Sequence, residues 1–190
     1  MTAPAVSIAF FDPARNLHGT ARSGTTVLFE GTLPTTISEG PEIAKGRRGK
    51  LKARLADRLS LELEPISEEV DLGGVAARVC RVRGEVGDSR VECLGTVSET
   101  RVPPAWDELD ALRSLSALLD EEHAVLALAR RPRGARGHGD ELVVASLLEA
   151  GEPRPVEDAR ISTVYDGEGR QRRAGLELWL PGEDFPRRGS

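Results

Sequence analysis

The sequence predicts an all-β fold: an antiparallel meander of about ten short strands curling into a barrel, half-barrel or sandwich, with one short helix near residues 105–113. Three observations predict it. Apolar residues alternate with polar ones at period two, as in Leu51-Lys52-Ala53-Arg54-Leu55 and Leu59-Ser60-Leu61-Glu62-Leu63, giving each strand one dry and one wet face. Turn residues separate these stretches, and most of the 20 glycines and 12 prolines sit there. The third is a clear hairpin: residues 161–165 run into Asp166-Gly167-Glu168-Gly169 and return through 174–180. Asp-Gly accepts the positive φ of a tight turn at little cost. On the return, Leu176, Leu178 and Leu180 share one face, and Glu177 and Trp179 share the other.

The elements follow in order. Residues 6–11 form a strand stopped by Asp12-Pro13. Residues 17–22 and 25–31 make a hairpin about Ser23-Gly24, and 32–38 continue the meander until Gly40-Pro41 break it. Lys45-Gly46-Arg47-Arg48-Gly49-Lys50 is a solvated tip ahead of the two alternating strands, which turn at Ala56-Asp57-Arg58. Strands over 75–86 and 90–98 are joined near Gly87-Asp88; Arg78, Arg81 and Arg83 load the first with charge, as at a surface or beside a polar pocket. Pro103-Pro104 stops that sheet. Over 106–113, Trp106, Leu109 and Leu112 recur at i, i+3, i+6, with Asp107 and Glu108 in the first turn, the pattern of a short helix. The stretch 106–131 lacks Gly and Pro and admits two readings, one long helix or a short helix followed by a hairpin. The acidic Asp120-Glu121-Glu122 tip and the short apolar run 124–129 favour the second. A strand over 141–148, a turn through Gly151-Glu152-Pro153 and the final hairpin complete one domain over 1–182, leaving 183–190 as a polar tail.

Composition bounds the function. With 190 residues, 39% hydrophobic and 30% charged, the chain can bury a core without staples. A net charge of −5 argues against nucleic acid as partner, since phosphate backbones want a basic field. No apolar run is long enough to span a membrane and no leader-like segment opens the chain, so a cytoplasmic protein without membrane insertion is expected. A two-residue turn at Gly87-Asp88 sets Cys80 opposite Gly95 and Cys93 opposite Val82. The thiols are then diagonal, about 7 Å apart, which suits a disulfide poorly, whereas a register slipped by two would oppose them directly. Reduced, buried thiols are expected.

Several pieces carry a family resemblance: Phe11-Asp12-Pro13 before Gly19-Thr20-Ala21-Arg22, then Leu28-Phe29-Glu30-Gly31 and Gly95-Thr96-Val97-Ser98. Further on stand Ala129-Arg130-Arg131-Pro132-Arg133-Gly134, Gly137-His138-Gly139-Asp140-Glu141, Ser162-Thr163-Val164-Tyr165-Asp166-Gly167 and Leu176-Glu177-Leu178-Trp179. With these, the chain resembles lipocalin-like (calycin-type) relatives of carotenoid 1,2-hydratase, also called hydroxyneurosporene synthase, and in particular their shorter bacterial branch. The resemblance implies a calycin-type β architecture and an apolar ligand. It implies water addition to an isolated alkene only for the true hydratases. Full relatives carry two such halves, so this chain supplies one, and a homodimer is one way to provide a closing strand.

Two groups of residues could carry chemistry. The loop from Arg130 to Glu141 offers Arg133 and Arg136 as bidentate donors to an anionic group, and His138 as a proton shuttle beside Asp140 and Glu141. The same loop also reads as a solvated basic tip balanced by acids. In the hairpin, Tyr165 and Asp166 stand near the mouth, and a buried carboxylic acid there could protonate an alkene. Glu177 and Trp179 line the adjoining face, where an indole could shield a cation. Equally, Asp166 opens a turn and Trp179 packs. Phe29 is a further aromatic candidate for a ligand wall. The basic tips at 45–50, 130–136 and 170–173 either share one rim or are separate solvated hairpin ends. His18 and His123 stand alone, no spacing suits a metal, and no phosphate loop or nucleophile elbow is present, so neither metal nor cofactor is expected.

The function these readings lead to is binding of a small apolar molecule (isoprenoid, steroid-like or polyketide) in the interior of the lipocalin-like β-barrel. The alternatives are a cofactor-free hydratase, isomerase or cyclase built on Asp166, His138 and Tyr165, and a structural or dimerising module without a ligand.

Overall fold

The computed structural model describes residues 5–168 and 171–189, with the side chains of residues 138 and 171 outside that description. Ten strands form one antiparallel sheet: β1 (Ala5–Asp12), β2 (Leu17–Arg22), β3 (Thr25–Glu30), β4 (Leu33–Ile37), β5 (Glu42–Lys45), β6 (Leu51–Leu55), β7 (Leu59–Pro65), β8 (Val70–Asp71), β9 (Val75–Val86) and β10 (Ser89–Thr100). Their spatial order is β4-β3-β2-β1-β10-β9-β7-β6-β5, with β8 also on β9.

That order forces curvature. β4 ends at Ile37 and β5 begins at Glu42, so only residues 38–41 connect the two ends of the sheet. Such a linker spans at most about 17 Å. In a flat sheet the end strands would stand about 38 Å apart. The sheet must therefore roll until its two edges come near each other. The linker is pinned in place: the buried Thr26 hydroxyl donates to the Glu39 carbonyl at 2.9 Å. Gly40 lies so close to the β2–β3 turn that a Cβ there would stand 2.0 Å from the Arg22 carbonyl oxygen. Inside the roll, Ile8, Phe10, Leu61, Leu63, Cys80 and Val82 fill the space.

The two smaller sheets stack outside this wall. One holds β11 (Leu109–Leu118), β12 (Ala124–Pro132), β13 (Leu142–Glu149) and β14 (Glu152–Pro155); the other holds β15 (Asp158–Tyr165), β16 (Gln171–Trp179) and β17 (Arg187–Gly189). β12 is the central layer. Its residues Ala124 to Ala129 are all buried. Ala124, Leu126 and Leu128 pack on Val75, Ala77 and Val79 of β9. Val125, Ala127 and Ala129 pack toward Ile161, Leu176, Leu178 and Leu180. The continuous apolar run is therefore a strand covered on both faces. Arg187 ties the third sheet to the second, donating to Glu149 and to Glu183, each at 2.6 Å.

The all-β, antiparallel reading holds, and the helix expected near 105–113 does not form. Residues 106–108 make a turn and β11 begins at Leu109, pairing with β12 across a bulge between Leu109 and Ala111. The reason is β12. A strand buried on both faces must pair its backbone N–H and C=O groups along both edges. β13 serves one edge, and only the 109–118 stretch is placed to serve the other. This tertiary demand outweighs a weak local helical pattern. The acidic tip is a turn as expected: Asp120 accepts from the backbone N–H groups of Glu122 and His123.

The cysteine register agrees with the sequence reading, Cys80 opposite Gly95 and Cys93 opposite Val82, and both thiols are free. Burial pushes the Cys80 thiol up to about 12 and the Cys93 thiol up to about 11.

Two outcomes follow for the fold. Gly40→Ala should lower stability by ~1–3 kcal/mol in urea unfolding, because the added methyl meets backbone that cannot yield; an unchanged midpoint would show that the linker does not hold the roll shut. For the thiols, the unfolded groups titrate near 9.0 and the folded ones higher. Stability held by keeping them protonated is complete below pH 9.0 and declines as pH rises through about 11 and 12. Native protein at pH 8 should react slowly with a thiol reagent and rapidly once denaturant is added.

Candidate functional site

The hairpin that was clearest in the sequence builds one wall of a cleft of about 530 Å³. Its register pairs Ile161 with Leu176, Arg160 with Glu177 and Ser162 with Gly175. Alternation turns Ile161 and Leu176 toward the second sheet, where both are buried. With Val143 of β13 they give the cleft an apolar lining. Arg160, Arg173, Arg188 and Glu177 supply its charged lining. Gly175 has no side chain to fill the space, and a Cβ there would stand 2.6 Å from the Ser162 hydroxyl.

At one end of the cleft lies a buried ion pair. Glu141 precedes β13 and its side chain is 1% exposed. Arg113, on the face of β11 that looks toward the third sheet, donates through Nη2 to the Glu141 carboxylate and through Nη1 to the Thr163 hydroxyl at 2.6 Å. The three residues join β11, the start of β13 and β15, closing the open end between the two sheets. Charge-assisted bonds of this kind hold geometry well, and a buried carboxylate needs such a partner.

The other charged groups are arranged around Trp179. Arg160 places its guanidinium 4.8 Å from the ring centroid and lies 3.5 Å from Asp158. Glu177 accepts from Arg188 Nε at 2.7 Å. Glu177 thus lines the cleft, and Trp179 supports it from beneath Arg160. Asp166 begins the hairpin turn, accepting from the Glu168 N–H at 3.0 Å and from Arg172 Nε at 2.9 Å. Tyr165 beside it is 46% exposed.

Arg133 and Arg136 lie elsewhere. Arg133 clamps the turn before β11, donating from its backbone N–H to Glu108 and from its guanidinium to the Trp106 carbonyl. The Arg136 backbone N–H caps Asp140 at 2.8 Å. Of that loop, Gly139 and Glu141 reach the cleft. The His138 side chain lies outside the described residues, as does Arg170 of the third basic tip. Phe29 sits on the convex wall in a ladder, stacked on His18 at 4.7 Å, which stacks on Phe11 at 5.1 Å. Among the described residues, no three His, Cys, Asp or Glu side chains are grouped to hold a metal ion. No helix there is long and apolar enough to cross a membrane.

Sequence reasoning missed Arg113 as a site residue and left Glu141 in a basic loop. A signal was present. In the period-two set Leu109, Ala111, Arg113, Leu115 and Ala117, the arginine stands on an otherwise apolar face. The assumption of a helix over the same residues concealed that alternation.

No protein-family model and no curated protein matches the chain. Solved structures resemble it, two of them as follows. A putative AttH from Nitrosomonas europaea aligns with a TM-score of 0.59 at 11% identity, covering 94% of this chain and 77% of that one. CghA, solved with Sch210972, aligns with a TM-score of 0.52 at 9% identity, covering 96% of this chain and 74% of that one. At such identities the likeness is one of fold. Together with the curled sheet it supports a lipocalin-like architecture.

The buried pair gives a double-mutant test. Glu141→Leu alone should cost about 3–5 kcal/mol by leaving Arg113 without its carboxylate. Combining it with Arg113→Met should restore most of that loss, measured by chemical denaturation. Additive losses would show that the two side chains act independently.

Proposed function

We propose that the protein binds a small molecule with an apolar body and an anionic end in the cleft between its second and third sheets. The observation that carries this reading is the cleft itself. A volume of about 530 Å³ is of ligand size, and Val143, Ile161 and Leu176 provide apolar surface beside Arg160, Arg173 and Arg188. The apolar residues would take the body of the ligand, and the arginines would orient its acidic group. The ligand class expected from the sequence, an isoprenoid, steroid-like or polyketide compound, fits this division when it bears a carboxylate or enolate. A fold neighbour, CghA, was solved with Sch210972, which supports the reading that this architecture takes up a small compound.

Binding is favoured over acid catalysis by what the carboxylates already do. Glu141 accepts from Arg113, and Asp166 accepts from Arg172 and from a backbone N–H. Both acids are engaged as acceptors. The carboxylic acid mechanism considered from the sequence needs a free proton donor facing an apolar substrate.

The test is native mass spectrometry of freshly purified protein, combined with the intrinsic fluorescence of Trp106 and Trp179 across a panel of isoprenoid and fatty acids. A co-purified compound, or a saturable fluorescence change, is expected. Gly139→Trp should abolish the added mass without unfolding the protein, because a side chain there starts in open space at the cleft lining. Finding no added mass and no fluorescence response, or an added mass that survives Gly139→Trp, would overturn the assignment.

A further inference from the structure

A second cleft, of about 280 Å³, lies on the convex face of the ten-stranded sheet and shares no lining residue with the sheet–sheet cleft. It is strongly basic. Arg47, Arg48, Lys50, Lys52, Arg81 and Arg83 line it, against two carboxylates, Glu62 and Glu64. The register explains the gathering. Lys52 pairs across with Glu62, Glu62 with Arg83, and Glu64 with Arg81, while Leu51, Leu63 and Val82 between them turn inward to the core.

Four of the six cations are matched. Lys50 meets Glu64 at 2.8 Å and Lys52 meets Glu62 at 2.7 Å. Arg83 meets Glu92 at 2.9 Å. Arg81 forks onto Glu121, which the β11–β12 tip delivers, with bonds of 2.9 and 2.6 Å. Arg47 and Arg48 form no ion pair among the described residues. Their loop is nonetheless ordered. Gly46 N–H donates to the Lys50 carbonyl at 2.7 Å, and Lys50 N–H donates back to Arg47 at 3.2 Å. Arg48 is held at a φ of 56°, a conformation that a non-glycine residue adopts only when its surroundings impose it. Two uncompensated guanidinium groups are thus presented at the mouth of a cleft on a chain whose net charge is −5.

We propose that this cleft binds a phosphate monoester or pyrophosphate group, with Arg47 and Arg48 as its bidentate donors. The charge count selects this chemistry. Two unmatched arginines correspond to a group that carries about two or more negative charges at neutral pH, as a phosphate monoester or a pyrophosphate does and a single carboxylate does not. Guanidinium forks suit phosphate oxygens. The cleft volume suits one headgroup. The acidic surface elsewhere disfavours an extended polyanion such as nucleic acid.

The group can belong to a free metabolite or to a lipid, and one experiment with two arms separates them. Sodium pyrophosphate is titrated into the full-length protein at constant ionic strength and followed by calorimetry. In parallel, flotation is measured with phosphatidylcholine vesicles with and without phosphatidic acid. Saturable one-site binding of pyrophosphate identifies a soluble phosphorylated ligand. Flotation that requires phosphatidic acid, without pyrophosphate binding, identifies a lipid headgroup. In either case Arg47→Ala/Arg48→Gly should weaken the interaction by ~10-fold or more. The thermal midpoint should not fall, since glycine adopts the left-handed conformation freely. Gly139→Trp should leave this binding unchanged, which keeps the two sites distinguishable. No binding in either arm, or binding that the double variant retains, overturns the proposal.

Discussion

The architecture depends on one strand buried on both faces. Residues 124–129 are AVLALA, with no polar side chain, and every one is buried. One face carries Leu126 and Leu128 and meets the rolled sheet; the other is mostly alanine and lets the leucines of β16 approach closely. Small residues facing large ones keep the two contacts dense without strain. Because such a strand has no solvated edge, it must be hydrogen-bonded on both sides, and this requirement recruits β11 and β13. The sheet–sheet cleft, the Arg113–Glu141 pair and the docking of the C-terminal strand all exist because β12 draws three sheets together.

The rolled sheet obeys a separate constraint. Its ends are joined by a linker too short to span a flat sheet, so connectivity alone imposes the curl. Buried side chains fill its concave side. The spaces of ligand size described above lie outside the roll, one on its convex wall and one between the outer sheets. These two clefts lie where sheets meet and where a charged hairpin loop folds over a strand.

Much of the fold was legible in the sequence because period-two alternation is a local signal. It located the hairpins, and with the turn at Gly87-Asp88 it set the register of Cys80 against Gly95 and of Cys93 against Val82. It failed at 106–113, where the spacing of Trp106, Leu109 and Leu112 imitates a helix while Leu109, Ala111, Leu115 and Ala117 alternate at period two. Local pattern cannot choose between two periods that both fit; the neighbour that needs a partner chooses. The candidate site was less legible. Glu177 and Trp179 were found because they share a strand face, whereas Arg113, Glu141 and Val143 come from segments whose proximity no spacing reports.

By itself, then, the sequence determined the class of structure, the positions of most turns and which side chains of each strand face inward, because these follow from alternation and backbone stereochemistry within a few residues. Tertiary structure alone decided that the meander divides into three sheets, that β12 lies between two of them, and that Arg113 meets Glu141 across 28 residues of chain. Those outcomes arise from burial and edge pairing between distant segments, and such contacts carry no signature in the local order of residues.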